Sequence, residues 1–218
     1  MSKLTGKLLS LNVGLPHNRF VLRGQPVATA IYKYPVAGPV ALRGVNLDGD
    51  RQADLYNHGG PDKAVYGYPS EHYPFWQSQF PDMPMPWGTF GENLTTQGLD
   101  EDTVQIDDRF RIGSAIIEVA QPRYPCSKLA MKFGQPDMVR RFLHSERSGF
   151  YFRVVEEGAL TAGDIIERLD GEPSGISVRT VVRLAFQEDE DRDLVSRVLD
   201  LPRLPFFWKE RILEHAQG

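Results

Sequence analysis

The sequence predicts a mainly β fold, a mixed β-barrel with a few helices, followed by a small C-terminal appendage of three helices. Short β-prone runs separated by Gly, Pro, Asn and Asp fill the first two-thirds of the chain. This spacing favours a barrel or sandwich over alternating strands and helices. Beyond residue 175, apolar residues recur at helical spacing instead. We therefore expect a barrel domain in residues 1–170 and a three-helix domain in residues 176–216.

Seven runs are predicted as strands. The run at 115–120 is apolar at nearly every position, which indicates a buried strand. The predicted strands are residues 7–13, 27–34, 63–68, 110–112, 115–120, 151–155 and 164–169.

Two helices are expected to interrupt the strands. One lies within residues 71–80, with Ser70 as a possible N-cap. The other runs from Pro136, which suits a first helical position, to about residue 145, and its apolar residues form one stripe.

The C-terminal helices follow a polar, turn-prone linker at residues 171–175. Pro205 is expected just before the third helix, which carries the aromatic cluster Phe206-Phe207-Trp208. Three short helices would be marginally stable alone, so we expect them to pack on the barrel or on a partner.

Composition excludes several classes of protein. The chain has 218 residues, a net charge of −4 and a single cysteine, Cys126. One cysteine cannot form an internal disulfide or supply the four thiolates of an iron–sulfur cluster. No apolar run approaches the roughly 20 residues of a membrane helix, and residues 1–7 lack a secretory signal pattern. We therefore expect a cytoplasmic protein that binds neither membranes nor nucleic acid.

The charge is unevenly distributed. Residues 121–153 carry seven basic and two acidic side chains, a net charge of +5, which leaves −9 for the rest of the chain. A basic segment in an acidic protein can indicate an anionic-ligand site, and a solvated helix face is the alternative.

The segment Gln121-Pro122-Arg123-Tyr124-Pro125-Cys126-Ser127-Lys128-Leu129 is the strongest candidate site. Its two prolines stiffen the backbone at a strand end, and Arg123 and Lys128 could favour the thiolate of Cys126. A thiolate is a suitable ligand for soft or high-valent metals. The alternative is a buried structural cysteine.

Two further segments could meet a ligand. In Asn57-His58-Gly59-Gly60-Pro61-Asp62-Lys63, the glycines could form an anion-binding turn beside the positive charge of Lys63. In Phe90-Gly91-Glu92-Asn93-Leu94, a turn could present an amide and backbone donors. Simple turns are the alternative for both segments.

Together these segments resemble the MOSC domain of molybdenum cofactor sulfurases, in its stand-alone YiiM-like branch with a C-terminal three-helix domain. The resemblance covers nearly the whole chain. Its motifs are residues 48–54, His58-Gly59-Gly60-Pro61-Asp62-Lys63-Ala64-Val65, Tyr68-Pro69-x-Glu71-His72-Tyr73, Phe90-Gly91-Glu92-Asn93-Leu94, Gln121-Pro122-Arg123-x-Pro125-Cys126-x-Lys128-Leu129, Gly149-x-Tyr151-x-Arg153-Val154 and Gly163-Asp164.

The resemblance implies a molybdenum cofactor (molybdopterin) with Cys126 as ligand to the metal. It implies that the residues around the pterin or its phosphate are His58, Gly59, Gly60, Lys63, Asn93, Arg123 and Lys128. The implied activity is reduction of N-hydroxylated small molecules, with Cys126 and His58 as the catalytic residues. A separate reductase is then expected to supply electrons. Pyridoxal phosphate is not expected in this chain.

Two other functions remain open. One is a non-catalytic carrier that binds the cofactor or passes a sulfur atom on Cys126. The other is a binding module for a phosphorylated ligand, with Cys126 inert.

Overall fold

The computed structural model describes residues 4–22, 24–171, 174–187 and 191–216. Its strands are β1 (Thr5–Val13), β2 (His17–Leu22), β3 (Gln25–Thr29), β4 (Tyr34–Pro35), β5 (Val40–Arg43), β6 (Asn46–Leu47), β7 (Val65–Pro69), β8 (Leu94–Gln97), β9 (Arg109–Ile112), β10 (Ala115–Pro122), β11 (Phe150–Glu156), β12 (Gly158–Leu160) and β13 (Ile165–Arg168). Its α-helices are α1 (Leu55–His58), α2 (Tyr73–Gln79), α3 (Ser127–Phe133), α4 (Met138–His144), α5 (Val178–Phe186), α6 (Arg192–Leu199) and α7 (Phe206–Ala216). Short 3₁₀ turns span Pro61–Lys63 and Ser70–His72.

Seven strands close into a mixed β-barrel. Their order is β13, β9, β10, β11, β7, β8 and β1, and β1 pairs back onto β13. Neighbours are antiparallel except β7 and β8, which are parallel. The predicted fold class is therefore confirmed, with the C-terminal helices in place.

The parallel pair requires a long crossover between its strands, which residues 70–93 supply. The crossover contains α2, and an aromatic cluster packs it against α3 and α4. In that cluster, Trp76 stacks on Phe142 with ring centres 5.7 Å apart, and Phe90 stacks on Tyr68 at 4.5 Å. This second core fixes the segment that leads into β8.

The C-terminal helices pack on the barrel. Val178, Val182 and Trp208 are essentially inaccessible and belong to the same apolar core as the barrel residues Leu11 and Phe110. Of the aromatic cluster on α7, only Trp208 is buried, whereas Phe206 is 72% exposed. The division into domains at 1–170 and 176–216 stays a prediction. Within the linker, Glu172 and Pro173 lie outside the described residues.

Three sequence expectations were wrong in detail. The strand expected at 27–34 breaks after Thr29, whose side-chain hydroxyl accepts a hydrogen bond from the Ile31 backbone and bends the chain. Ser70 does not cap a helix: it lies in a 3₁₀ turn, and α2 begins at Tyr73, with Pro74 in its first turn. Pro136 precedes α4 in a turn that follows α3.

Other elements were not predicted. These are α1, α3 and the strands β2, β5, β6, β8 and β12. Along the part of the chain that the structure describes, no helix combines the length and the apolar character that crossing a bilayer requires.

Candidate functional site

The register of the barrel brings the predicted site segments together. Pro122 of β10 pairs with Phe150 of β11, which pairs with Gly67 of β7, and Gly67 pairs with Leu94 of β8. Four strands therefore share one level of the barrel. The loop that carries Cys126 follows β10 at this level. Asn93 lies at the same level, immediately before the first residue of β8.

An open cleft lies above this level, with a volume of about 650 Å³ that includes its mouth. Six of the predicted site side chains line it: His58, Lys63, Asn93, Arg123, Cys126 and Lys128. Gly59 and Gly60 do not line it. Residues 28–31 and 50–54 form further parts of its walls.

Cys126 is half-buried and precedes the first residue of α3. Burial raises the pKa of its thiol, but the hydrogen bond from His58 and the positive charge of Arg123 act in the opposite direction and prevail. The backbone N–H of Lys128 favours the thiolate as well, and the pKa is lowered to about 7. The side chain is thus accessible from an open cleft that several charged side chains line, unlike the structural cysteine considered as an alternative.

The loop from His58 to Lys63 is shaped by local hydrogen bonds. Asp54 caps α1 by accepting a hydrogen bond from the Asn57 backbone at 3.0 Å. Lys63 Nζ donates to the carbonyl oxygen of Asn57 at 2.6 Å. Gly60 has a φ of 91°, which favours glycine and turns the chain into the 3₁₀ segment. The loop presents His58 and Lys63 to the cleft.

Arg123 is a buried cation beneath the cleft, only 5% exposed. Its Nη1 donates to the carbonyl oxygen of Phe90 at 2.7 Å and to the hydroxyl of Tyr66 at 3.3 Å. The guanidinium also lies over the Tyr66 ring, 4.6 Å from its centre. Within the described part of the chain, Arg123 forms no ion pair with a carboxylate. Its charge is therefore available to an anionic group in the cleft.

Asn93 holds the wall of the cleft together. Its amide nitrogen donates to Asp50 Oδ2 at 3.0 Å and to the carbonyl oxygen of Asn12 at 3.2 Å. Its amide oxygen accepts from the Tyr66 backbone at 3.2 Å. Asp50 also accepts from Lys33 and from the Gly14 backbone. Because these bonds occupy both amide donors, the geometry favours a positioning role for Asn93 over ligand contact.

The basic segment at 121–153 does not form a single patch. Arg123 and Lys128 line the cleft. Arg141 pairs with Asp137 on the surface of α4, and Arg153 is surrounded by carboxylates. A solvated helix face therefore describes the Arg141 part of the segment, whereas an anionic-ligand site at Arg123 and Lys128 stays a prediction.

Several residues in the cleft were not predicted as site residues. Lys33 and Asp50 form an ion pair at its wall, and Tyr66 and Tyr151 line it from adjacent strands. Burial raises the pKa of both tyrosines, so their hydroxyls are protonated. Asp50 lies in the motif at 48–54, which could have indicated it. Tyr151 lies in the motif at 149–154, which could likewise have indicated it. Tyr66 lies outside the motifs, and only the strand register shows that it faces the cleft.

The donor set limits what the cleft can hold. Among the described residues, no three His, Cys, Asp or Glu side chains cluster as a metal site. A metal here would have one thiolate from the protein and its remaining ligands from elsewhere. The cations Arg123, Lys63 and Lys128 suit an anionic group on the same ligand. These features fit a metal held mainly by its own anionic organic ligand, such as a molybdenum–pterin cofactor.

Two bacterial proteins resemble the chain along most of its length. The uncharacterized protein YflK of Bacillus subtilis is 43% identical over 207 residues, which cover 95% of this chain and 93% of that protein. The protein YiiM of Escherichia coli is 36% identical over 85% of this chain and 82% of its own length. A third relative, named "Reductase", from Gibberella moniliformis, is 33% identical over 87% of this chain but only 35% of its own length.

Solved structures agree with these relatives. The crystal structure of YiiM from Geobacillus stearothermophilus has a TM-score of 0.78 and 33% identity, and the match covers 97% of this chain and 99% of that one. YiiM from Escherichia coli gives a TM-score of 0.75 at 28% identity, over 100% and 93% of the two chains. The family model described as the MOSC domain matches residues 54–167. The chain belongs to the MOSC domain family.

Proposed function

We propose that this chain binds a molybdenum–pterin cofactor in the cleft through Cys126 and is an oxidoreductase that reduces N-hydroxylated compounds, such as hydroxylaminopurine-type bases. The observation that carries this proposal is the Cys126 thiol, whose pKa is lowered to about 7 between His58 and Arg123 in an open cleft. A thiol in that state is ready to ligate a soft or high-valent metal at neutral pH.

The roles of the surrounding residues follow from their charges. Cys126 supplies the sulfur ligand. Arg123, Lys63 and Lys128 hold the anionic part of the cofactor by charge-assisted hydrogen bonds. Asn93 keeps the wall rigid through Asp50, as its contacts indicate. Gly59 and Gly60 contribute by shaping the loop, and any direct contact of theirs with the cofactor stays a prediction.

Reduction of a hydroxylamine group to an amine breaks the N–O bond, consumes two electrons and two protons, and releases water. The cofactor, when bound, would supply the two-electron chemistry. The protein must deliver the protons. His58 lines the cleft beside Cys126 and is the proposed proton donor, because histidine is the side chain that most often acts as a general acid.

The relative named "Reductase" supports the oxidoreductase class, since it is 33% identical to most of this chain. The match spans 35% of that protein, so most of its length lies outside the region that resembles this chain.

The electrons need a separate source. The sequence has one cysteine and no dinucleotide-binding fingerprint, so it lacks the usual means to hold an iron–sulfur cluster or a nicotinamide nucleotide. We therefore propose a separate flavin or iron–sulfur reductase as donor, bound weakly and transiently. Sustained turnover of purified protein with NADH or NADPH alone would contradict this.

The half-buried thiol also suits a second function. A carrier of the cofactor, or of a sulfur atom bound to Cys126, needs an accessible thiolate and no proton donor. The reductase requires His58 to donate a proton to the substrate, whereas the carrier has no such requirement.

A turnover assay separates them. Metal-loaded protein receives an N-hydroxylated base and a reduced artificial electron donor, and amine formation is followed. A reductase sustains turnover, and the His58→Gln variant keeps its molybdenum but loses most of its rate. Protein that retains molybdenum but gives no amine with any N-hydroxylated base would favour the carrier.

A further inference from the structure

The loop that carries His58 has little packing of its own. None of the residues of α1 is buried, and neither is any residue of the adjoining 3₁₀ turn Pro61–Lys63. Leu55 is 71% exposed and Tyr56 is 96% exposed. Apolar burial therefore cannot fix this loop, and its position depends on polar contacts with the rest of the protein.

One such contact begins at α7. The indole N–H of Trp208 donates to Gln121 Oε1 at 3.0 Å, and Gln121 Nε2 donates to the backbone carbonyl of Asp62 at 3.0 Å. Trp208 is fully buried and Gln121 is 3% exposed, so water does not compete for the bond between them, whereas the bond to Asp62 is partly buried. The Gln121 amide thus connects the last helix to the loop in a fixed orientation.

A second contact begins just before α7. Arg153 donates to the backbone carbonyl of Arg203 and, through Nε, to the carboxylate of Asp62. The Arg153 side chain is 8% exposed and also meets Glu118 Oε1 at 3.3 Å. Arg203 itself pairs with Glu118 at 2.5 Å. Both contacts therefore converge on Asp62, one on its backbone and one on its side chain.

Asp62 lies four residues after His58 and directly before Lys63, two residues that line the cleft. We infer that the C-terminal helical segment positions the His58–Lys63 loop, with Trp208, Gln121 and Arg153 as positioning residues that act through Asp62. The described residues of the C-terminal helices thereby serve the candidate site without lining the cleft. The importance of this loop for a cofactor rests on the proposed function, whereas its attachment to α7 does not.

Hydrogen–deuterium exchange of the metal-free protein tests this attachment. The backbone N–H groups of His58, Gly59 and Lys63 each donate a hydrogen bond within the loop, so their exchange reports loop opening. Trp208→Phe removes the indole donor but keeps an aromatic ring. We expect these amides to exchange about tenfold faster in that variant, as the loss of one buried hydrogen bond predicts.

Two further variants make the result specific. Ile212→Val trims a fully buried side chain on the same helix and touches neither polar contact, so it should leave loop exchange unchanged. Gln121→Met removes the same connection from the barrel side and leaves α7 unchanged. This variant replaces Trp208→Phe as the test if Trp208→Phe fails to fold. In the double variant Trp208→Phe/Gln121→Met, the loop amides should exchange no faster than in Gln121→Met alone.

Unchanged loop exchange in both Trp208→Phe and Gln121→Met would overturn the inference, as would equal acceleration in Ile212→Val. Because the protein is metal-free throughout, the outcome is independent of whether the cleft binds molybdenum. A protein that fails to bind the metal but shows the predicted exchange pattern would refute the proposed function alone.

Discussion

Cys126 has a lowered pKa because two neighbours outweigh its burial. Desolvation alone would raise the pKa of the thiol, but the His58 hydrogen bond and the Arg123 charge lower it to about 7. The thiol and the thiolate of Cys126 therefore both occur near neutral pH. His58 and Arg123 belong to different segments of the chain, so the lowered pKa of Cys126 depends on the fold that brings them together.

The contribution of His58 can be measured by alkylation of Cys126 in metal-free protein. Because the thiolate reacts, the rate should rise with pH through a midpoint near 7. In His58→Gln the midpoint should move to higher pH, since an interaction that lowers the pKa is weakened, and the rate at pH 7 should fall. His144→Gln, on the exposed surface of α4, is the control. An unchanged midpoint in His58→Gln would show that His58 does not act on the thiol.

Arg123 is expected to contribute to cofactor retention. Arg123→Met keeps much of the buried volume but removes the charge, and should weaken binding by about 1.5–3 kcal/mol, the range for a charged hydrogen bond. Cofactor release during dialysis measures this. Arg140→Met removes an exposed arginine of the same basic segment and should have no effect. Equal retention in both variants would argue against Arg123 as an anion-binding residue.

At the scale of elements, the approach of β11 to β7 depends on Gly149. Its φ is 60°, and a Cβ there would lie 2.4 Å from the Gly67 carbonyl oxygen and 2.8 Å from the Tyr66 ring. Gly149→Ala therefore combines backbone strain of about 1 kcal/mol with overpacking of about 1–3 kcal/mol.

A matched control separates these two costs. Gly134, which ends α3, has a φ of 63° but open space around the position of a Cβ. Gly134→Ala should lower the free energy of unfolding by about 1 kcal/mol only. Urea denaturation of both variants provides the comparison, and equal losses would mean that the strand pair adapts to the extra methyl group.

Elements with a clear local pattern could be predicted from sequence. The apolar run of β10 and the stripes of the C-terminal helices appear as expected, with small shifts at their ends. Strands such as β6 and β12 are two or three residues long and depend on partners distant in sequence, so local patterns cannot reveal them. Helix α3 was missed because it is only seven residues long and its first residues were read as part of the site segment at 121–129.

The candidate site was also only partly predictable, because some of its residues lie in local motifs and others are brought in by strand pairing. Cys126 and Arg123 belong to a motif whose prolines and charges are visible in the sequence. Tyr66 and Tyr151 face the cleft only because β7 and β11 pair in one register, in which the two residues are opposite each other. Asn93 was predicted as a ligand contact, but its amide donates to Asn12 on β1 and to Asp50 in the loop after β6, partners that are distant in sequence.

For the molecule as a whole, the barrel and the C-terminal helices share one apolar core. We therefore expect a single cooperative unfolding transition. Far-UV circular dichroism and the fluorescence of Trp208, isolated by replacing Trp76 and Trp87 with Phe, should give coincident urea transitions. An earlier fluorescence transition would instead support two independently stable domains.

The central claim is that Cys126 is the protein ligand of a molybdenum cofactor. The most direct test is the molybdenum content of wild-type and Cys126→Ser proteins, purified in parallel from a host that makes the cofactor, with circular dichroism to confirm that both are folded. The account predicts stoichiometric molybdenum in the wild type and its loss in Cys126→Ser, because a hydroxyl is a poor soft-metal ligand at neutral pH. Equal molybdenum in the two proteins, or none in either, would contradict the account.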